Sequence, residues 1–338
     1  MRKLTTMTAL ALLIASSASA IADGTPSLKD KPVAAPTPDW DIAFGGYVAS
    51  DYMFRGISQS AHWPSGSAYT ELRYNIQPTI QLYSGISIES IDYPNRAASE
   101  TDFYFGVRPT FDKLALDFGG WYYWYPGGRT FNGQSIGLTG LGSPNPNCTN
   151  GFFGFNDSCN VYESDLSFWE VYGKATYAFT DTFTLGGNVF YDPSWLNTGA
   201  DGTYASVTAK YVLPGAWFPS KDIGAFISGE FGHYWFGRTG SFYGNTVFPG
   251  QANGIDLPEY NTWNVGVSFT YKVFTLDLRY VDTDLSKSNC DVLTSDHTAT
   301  ASVSNISAIN PSGLGSNWCG ATFVAKLSFD LTANTNLK

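Results

Sequence analysis

The sequence predicts an all-β protein: a transmembrane antiparallel up-and-down β-barrel of about 12 strands, with long external loops and short periplasmic turns. Three observations predict it. Hydrophobic alternation with a period of two recurs along the chain after Trp40. The connections between the alternating segments are short and long in strict turn. The composition is rich in rings and poor in charge: aromatics are 16% and charged residues 14%, with 35 glycines, whereas soluble domains carry about 25% charge.

Residues 1–20 read as a secretory signal. Arg2 and Lys3 form the charged start, residues 4–16 a mostly apolar stretch, and Ala18, Ser19 and Ala20 a small-residue cleavage site. An uncleaved anchor is the weaker reading, because Thr5, Thr6 and Thr8 interrupt a short apolar run. Residues 21–39 are rich in Ala, Pro, Thr and Lys without periodicity, which suits a flexible periplasmic leader. The barrel is expected over residues 40–338. Mean hydropathy is −0.12, and past the signal no apolar run reaches the length of a spanning helix, so helical membrane architecture is excluded.

Residues 168–179 show the strand pattern. Trp169, Val171, Ala175, Tyr177 and Phe179 fall on one face, and Glu170, Lys174 and Thr176 on the other. A helix would scatter those charges among the rings. The remaining strands are expected at 41–53, 67–76, 79–92, 101–111, 114–125, 183–192, 203–213, 223–236, 260–271, 274–284 and 322–331. Each is close to the roughly ten residues that a tilted strand needs to cross a bilayer.

The even-numbered joins are short (77–78, 112–113, 180–182, 214–222, 272–273). The odd-numbered joins are longer (55–66, 93–100, 126–167, 193–202, 237–259, 285–321). Sorting by parity is what a meander with two unequal ends produces, and a soluble sandwich has no reason for it. Aromatics gather where strands would meet the membrane surfaces: Trp121 to Tyr125, Trp169, Tyr191, Trp195, Tyr234 to Phe236 and Trp263 at one end, and Tyr177, Phe179, Tyr211, Trp217, Tyr271 and Phe329 at the other.

Cys148 and Cys159 fall in the third long loop, and Cys290 and Cys319 in the sixth. In an exported chain they suggest two disulfides, with Cys148–Cys159 and Cys290–Cys319 favoured among three connectivities. Metal binding by the four thiolates is disfavoured, since no CxxC spacing occurs, and neither a metal nor a cofactor is expected. A net charge of −10 without a basic stripe excludes nucleic acid as a partner. Catalysis is not expected: His62, His233 and His297 stand in no nucleophile motif.

Residues 50–60, Ser-Asp-Tyr-Met-Phe-Arg-Gly-Ile-Ser-Gln-Ser, resemble the SDYxxRGxSQ pattern of the TorF-type family of outer-membrane porins. Weaker echoes follow at 102–106, 125–127 and 170–173, so the resemblance covers roughly residues 45–192. It implies a Gram-negative outer-membrane barrel acting as a diffusion channel, and supplies no ligand or catalytic residue. The chain departs from a common barrel habit by running on past Phe329 to Lys338 instead of ending on an aromatic.

With apolar positions facing lipid, the other set lines the lumen. Asp51, Arg55, Glu71, Arg73, Asp102, Arg108, Glu170, Lys174, Lys210, Glu230, Asp277, Arg279 and Lys326 are the candidate pore-lining residues. Charge on the lipid face costs about 2–4 kcal/mol per Arg or Lys at mid-depth, which sends it inward. Two readings stay open: a narrow pore for small hydrophilic solutes, or a closed barrel that binds a surface partner through its long loops. Expected partners are outer-membrane lipid and lipopolysaccharide, the diffusing solutes, and the barrel assembly machinery during biogenesis.

Overall fold

The computed structural model describes residues 39–129, 131–132, 135–136, 142–143, 161–243, 253–310 and 312–337. The expected signal, all of the leader but Asp39, and the Cys148–Cys159 pair lie outside the described residues. Twelve strands close into one antiparallel barrel: β1 (Trp40–Ala49), β2 (Ser65–Gln77), β3 (Ile80–Glu89), β4 (Glu100–Phe111), β5 (Leu114–Trp124), β6 (Phe168–Ala178), β7 (Phe183–Asp192), β8 (Gly202–Val212), β9 (Ile223–Phe236), β10 (Tyr260–Tyr271), β11 (Phe274–Thr283) and β12 (Thr322–Thr332). Each pairs with its neighbours in sequence, and β12 returns to β1 with Gly46 opposite Phe329. Closure leaves no edge strand, so every ladder can be satisfied without water.

The parity of the connections holds except at one place, where the even join 213–222 is one residue longer than the odd join 193–201, and the barrel's two chain ends lie with the short turns. The outer wall is apolar. Ile42, Leu72, Phe105, Val171, Val207, Ile227, Val265 and Leu278 are all exposed. A continuous apolar belt on a closed barrel is a lipid-facing surface, since a soluble domain does not tolerate one of that extent.

The interior departs from a simple polar lining. Tyr83, Tyr104, Trp121, Tyr123, Tyr172, Phe190, Tyr204 and Tyr234 point inward and are buried. Phe168 and Tyr172 share the inward face of Glu170, so this face of β6 is not polar throughout. Neighbouring glycines make room for the rings. A Cβ at Gly85 would stand 2.3 Å from Tyr104, and one at Gly232 2.2 Å from the Tyr204 hydroxyl. The ring belt expected at the long-loop end divides by the same alternation: Tyr122, Trp124, Trp169 and Trp235 face out, while Trp121, Tyr123, Tyr125, Trp195 and Tyr234 are buried.

The first strand ends sooner than the expected 41–53, at Ala49. The chain then turns inward and forms a small hairpin, Met53–Phe54 against Ile57–Ser58. Arg55 and Gly56 make its two-residue turn, with φ of 46° and 87°. Positive φ at both central residues is the twist-matched hairpin turn, favourable for Gly and costly for Arg. A Cβ on Gly56 would lie 2.4 Å from both Thr262 and Thr283, so the tip is wedged against the inner wall.

Candidate functional site

The hairpin is a plug, and Arg55 is its tip. Arg55 is 5% exposed and Glu170, on β6, 1%. The guanidinium donates from Nη1 to Glu170 Oε1 (2.7 Å) and from Nη2 to Oε2 (2.9 Å), a two-pronged pair that fixes orientation as well as position. Nη1 also donates to the Tyr234 hydroxyl at 2.9 Å. That hydroxyl donates in turn to Asp192 Oδ2 at 3.0 Å, while Tyr123 donates to Glu170 Oε2 at 3.0 Å. The rings of Phe190, Tyr204 and Tyr234 lie 4.6, 4.6 and 4.9 Å from Cζ, and Phe54 covers it at 4.5 Å. The Tyr260 hydroxyl donates to the Arg55 carbonyl at 3.0 Å, pinning the backbone of the tip.

The proximity of Arg55 to Asp51 that alternation suggests does not occur, because the chain leaves the strand between them. Asp51 is instead the hub of the plug's base. It accepts from Ser58 (2.7 Å) and Ser60 (3.0 Å), and His62 Nδ1 lies 2.6 Å from its other oxygen. His62 Nε2 lies 3.0 Å from the carbonyl of Asn317 in the sixth loop. Ser58 N donates to the Trp318 carbonyl at 2.8 Å, so the first loop is strapped to the sixth. A short helix, α1 (Lys287–Thr294), and the Cys290–Cys319 disulfide hold that strap. Both serine hydroxyls donate to Asp51, and Ser58 Oγ accepts from the His62 backbone N–H (2.9 Å) while the ring itself turns to Asp51 and Asn317. The trio therefore lacks the nucleophile–base contact of an acyl-transfer site.

Only imidazolium can donate to the Asp51 carboxylate and the Asn317 carbonyl together. The hydrogen bond to Asp51 raises the His62 pKa above its ordinary 6.5, against partial desolvation. A raised folded-state value means this contribution is complete below the ordinary value and is lost as pH climbs through the raised one. Protease nicking of the first loop should therefore accelerate from pH 6 to pH 8, and His62→Gln should flatten that dependence. An equal rate at both values in the unaltered protein would remove His62 as the latch.

The remaining sequence candidates fall into separate groups. Glu71, Arg73 and Arg108 come together on β2 and β4. Glu71 Oε1 accepts from Arg73 Nε (2.6 Å) and Arg108 Nη1 (2.8 Å), and Oε2 from Arg108 Nη2 (3.0 Å). Asp277 and Arg279 form a second group on β11, with Arg279 Nε 2.9 Å from Asp277 Oδ2 and Nη2 2.9 Å from Ser228. Lys326 lies opposite Asp277 in the register. Glu230 accepts from Tyr204 at 2.9 Å. Lys174 and Lys210 face the lumen over the rings of Tyr172 (4.6 Å) and Phe226 (3.9 Å).

Asp102 sits with two acids near the long-loop end. Carboxylate oxygens of Glu89, Glu100 and Asp102 lie within 4.8 Å of one another, in a geometry with enough oxygen to hold a hard cation. Tyr52 and Tyr125 donate to the two oxygens of Glu100, at 2.5 and 2.7 Å. The candidate residues did not include Glu100, Asp192, Tyr123 or Tyr234. Period-two alternation places Asp192 on the inward face of β7 and Tyr123 on that of β5, so the signal was present for these two.

No family model matches the sequence, and no curated protein matches it. Among solved structures, an outer membrane channel from Pseudomonas putida F1 is similar at 11% identity, over 88% of this chain and 96% of that one, with a TM-score of 0.40. The NanC porin is similar at 8% identity, over 86% of this chain and 100% of that one (TM-score 0.38). LpxR from Salmonella typhimurium is similar at 9%, over 85% and 99% (TM-score 0.36). Likeness at this level decides nothing about activity, catalytic or not.

Proposed function

We propose that this chain is an outer-membrane channel for small hydrophilic solutes, closed at its external mouth by its own first loop. The observation that carries the reading is the docking of Arg55 on Glu170. A lumen sealed for good would be expected to close on apolar packing alone. Here the loop packs Met53, Phe54 and Ile57 against apolar neighbours, but its tip is held in the ring pocket by a two-pronged ion pair and hydrogen bonds, which can be exchanged for water. Support also comes from the inner wall of β6 to β8, where Lys174, Thr176, Asn188, Ser206, Thr208 and Lys210 present polar groups. The apolar outer belt calls for lipid, and with the export signal expected at residues 1–20 a barrel of this form would belong in the outer membrane, with lipopolysaccharide and the assembly machinery as partners. The SDYxxRGxSQ segment, which builds the plug, is the TorF-type signature in this reading. No catalytic step is assigned.

The test is current through the refolded protein in a planar bilayer. The unaltered protein should be silent or open rarely, and Arg55→Ala should conduct in discrete steps at least about tenfold more often, the loss of a charged hydrogen-bond pair being worth a factor of that size or more. Silence from a folded, inserted Arg55→Ala protein would overturn the channel. It would favour the second reading, a closed barrel binding through its loops, which the buried aromatic cluster at the long-loop end favours.

A further inference from the structure

The pocket that receives Arg55 has the composition of a recognition site for cations. Strip the plug away and what remains belongs entirely to the barrel: Glu170 on β6, Phe190 and Asp192 on β7, Tyr204 on β8, Tyr234 on β9 and Tyr123 on β5. Three ring faces surround one position at 4.6–4.9 Å, within the range where a cation is attracted by the ring quadrupole. A carboxylate closes one side with its two oxygens 2.7 and 2.9 Å from two parallel donors. That fork matches the planar guanidinium and not a point-like ammonium.

A second, independent feature points to a ligand. Asp192 is fully buried, and its Oδ1 has no hydrogen-bond partner. Its Oδ2 is held by the Tyr234 hydroxyl, which also contacts Arg55. The cavity thus supplies two acidic side chains to a plug that brings one guanidinium, and one oxygen of Asp192 is left unused. Buried acceptors are costly to leave unsatisfied, so an unused one on a side chain bridged to the guanidinium by Tyr234 is expected to have a donor in some other state.

We propose that Glu170, Asp192 and the rings of Phe190, Tyr204 and Tyr234 form a luminal binding site for guanidinium-bearing solutes, and that Arg55 occupies it as a tethered mimic of the ligand. The proposal rests on the channel reading and names the solute class for it. An arriving guanidinium displaces the plug by taking its place on Glu170, with a further donor available for Asp192. Opening and selection are then one event: only a cation that fits the fork competes with the loop.

The experiment is calorimetric titration of refolded Arg55→Ala protein with methylguanidinium chloride, with sodium chloride holding ionic strength constant. Binding should be at least about tenfold tighter than in Arg55→Ala/Glu170→Gln or than methylammonium in the same protein, the margin set by hydrogen bonds to a charged group. The unaltered protein, with the site occupied, should bind more weakly than Arg55→Ala. Equal affinity with and without Glu170, or equal affinity for methylammonium, overturns the site. If Arg55→Ala does not refold by itself, refolding with methylguanidinium gives the answer. Recovery of heat-modifiable gel mobility with methylguanidinium but not with sodium supports the site, and no recovery with either overturns it. Bilayer recordings keep the two readings apart. Binding without current leaves the site standing and removes the channel, whereas current indifferent to methylguanidinium leaves the channel standing and removes the site.

Discussion

Glu71→Ala should lower the stability of the folded barrel by about 3–5 kcal/mol, the cost of removing one partner from a buried ionic group. Glu71 is fully buried and serves two guanidiniums, Arg73 at 2.6 Å and Arg108 at 2.8 and 3.0 Å. Its loss leaves Arg108 with Gln81 at 3.2 Å and with Asp117 at 3.5 Å, whose other oxygen is already taken by Tyr83. Arg108 then keeps one carboxylate at the limit of hydrogen-bond distance, and Arg73 loses the carboxylate 2.6 Å from its Nε. Urea unfolding in detergent micelles, followed by tryptophan fluorescence, reads the change as a fall in midpoint at constant slope. Lys210→Met is the control. Lys210 rests on the Phe226 ring and, among the described residues, has no carboxylate partner, so an uncharged side chain of like length should leave stability within about 0.5 kcal/mol or raise it. If Glu71→Ala also stays within that margin, water reaches the cluster and the lower lumen is wetter than its burial indicates.

These charge groups were partly legible. Glu71 and Arg73 are two apart on one strand, as are Asp277 and Arg279, and period two puts each pair on one face. Register joins Asp277 to Lys326, and their meeting follows from β11 and β12 being neighbours in the meander. The plug was not legible in the same way. Tyr52, Met53 and Phe54 prolong the apolar character of β1, so the pattern gave no reason to end that strand at Ala49. The one local signal was Arg55-Gly56, a dipeptide suited to a tight hairpin only if both residues accept positive φ. Arg55 meets Glu170 across 115 positions of sequence, and no periodicity encodes a contact of that kind. The inward rings were misassigned for another reason. Alternation separates faces but does not say which apolar residues meet lipid and which meet other rings, and in a barrel packed at one end both faces carry aromatics. Phe168 and Tyr172 share the Glu170 side of β6 because Tyr123 stacks on Phe168 at 4.6 Å and Phe190 lies 5.4 Å from Tyr172.

Phe105→Arg should destabilise the barrel by about 2–4 kcal/mol, whereas Val303→Arg should change it by less than about 0.5 kcal/mol. The comparison is informative because exposure alone predicts two small effects of nearly equal size. Phe105 is 64% exposed and Val303 78%, so on a soluble protein neither arginine would be buried and neither would cost much. The difference lies in the surrounding medium. Phe105 is near the middle of β4, opposite Ser84 and Gly120, at the height where the hydrocarbon should be thickest. Its arginine must either shed water or bend toward an interface half a strand away. Val303 lies in the sixth loop, beyond the long-loop rim, where a guanidinium stays hydrated. Phe231→Arg on β9 should follow Phe105→Arg, since it too projects outward from mid-strand and is 56% exposed. Unfolding should be measured in lipid vesicles, because detergent thins the apolar layer and shrinks the contrast. Equal small effects at all three positions would mean that the apolar belt does not face lipid, and the channel reading would fall with it. A large effect confined to Phe105 and Phe231 fixes the belt as the membrane-facing surface and the long loops as the part that reaches water.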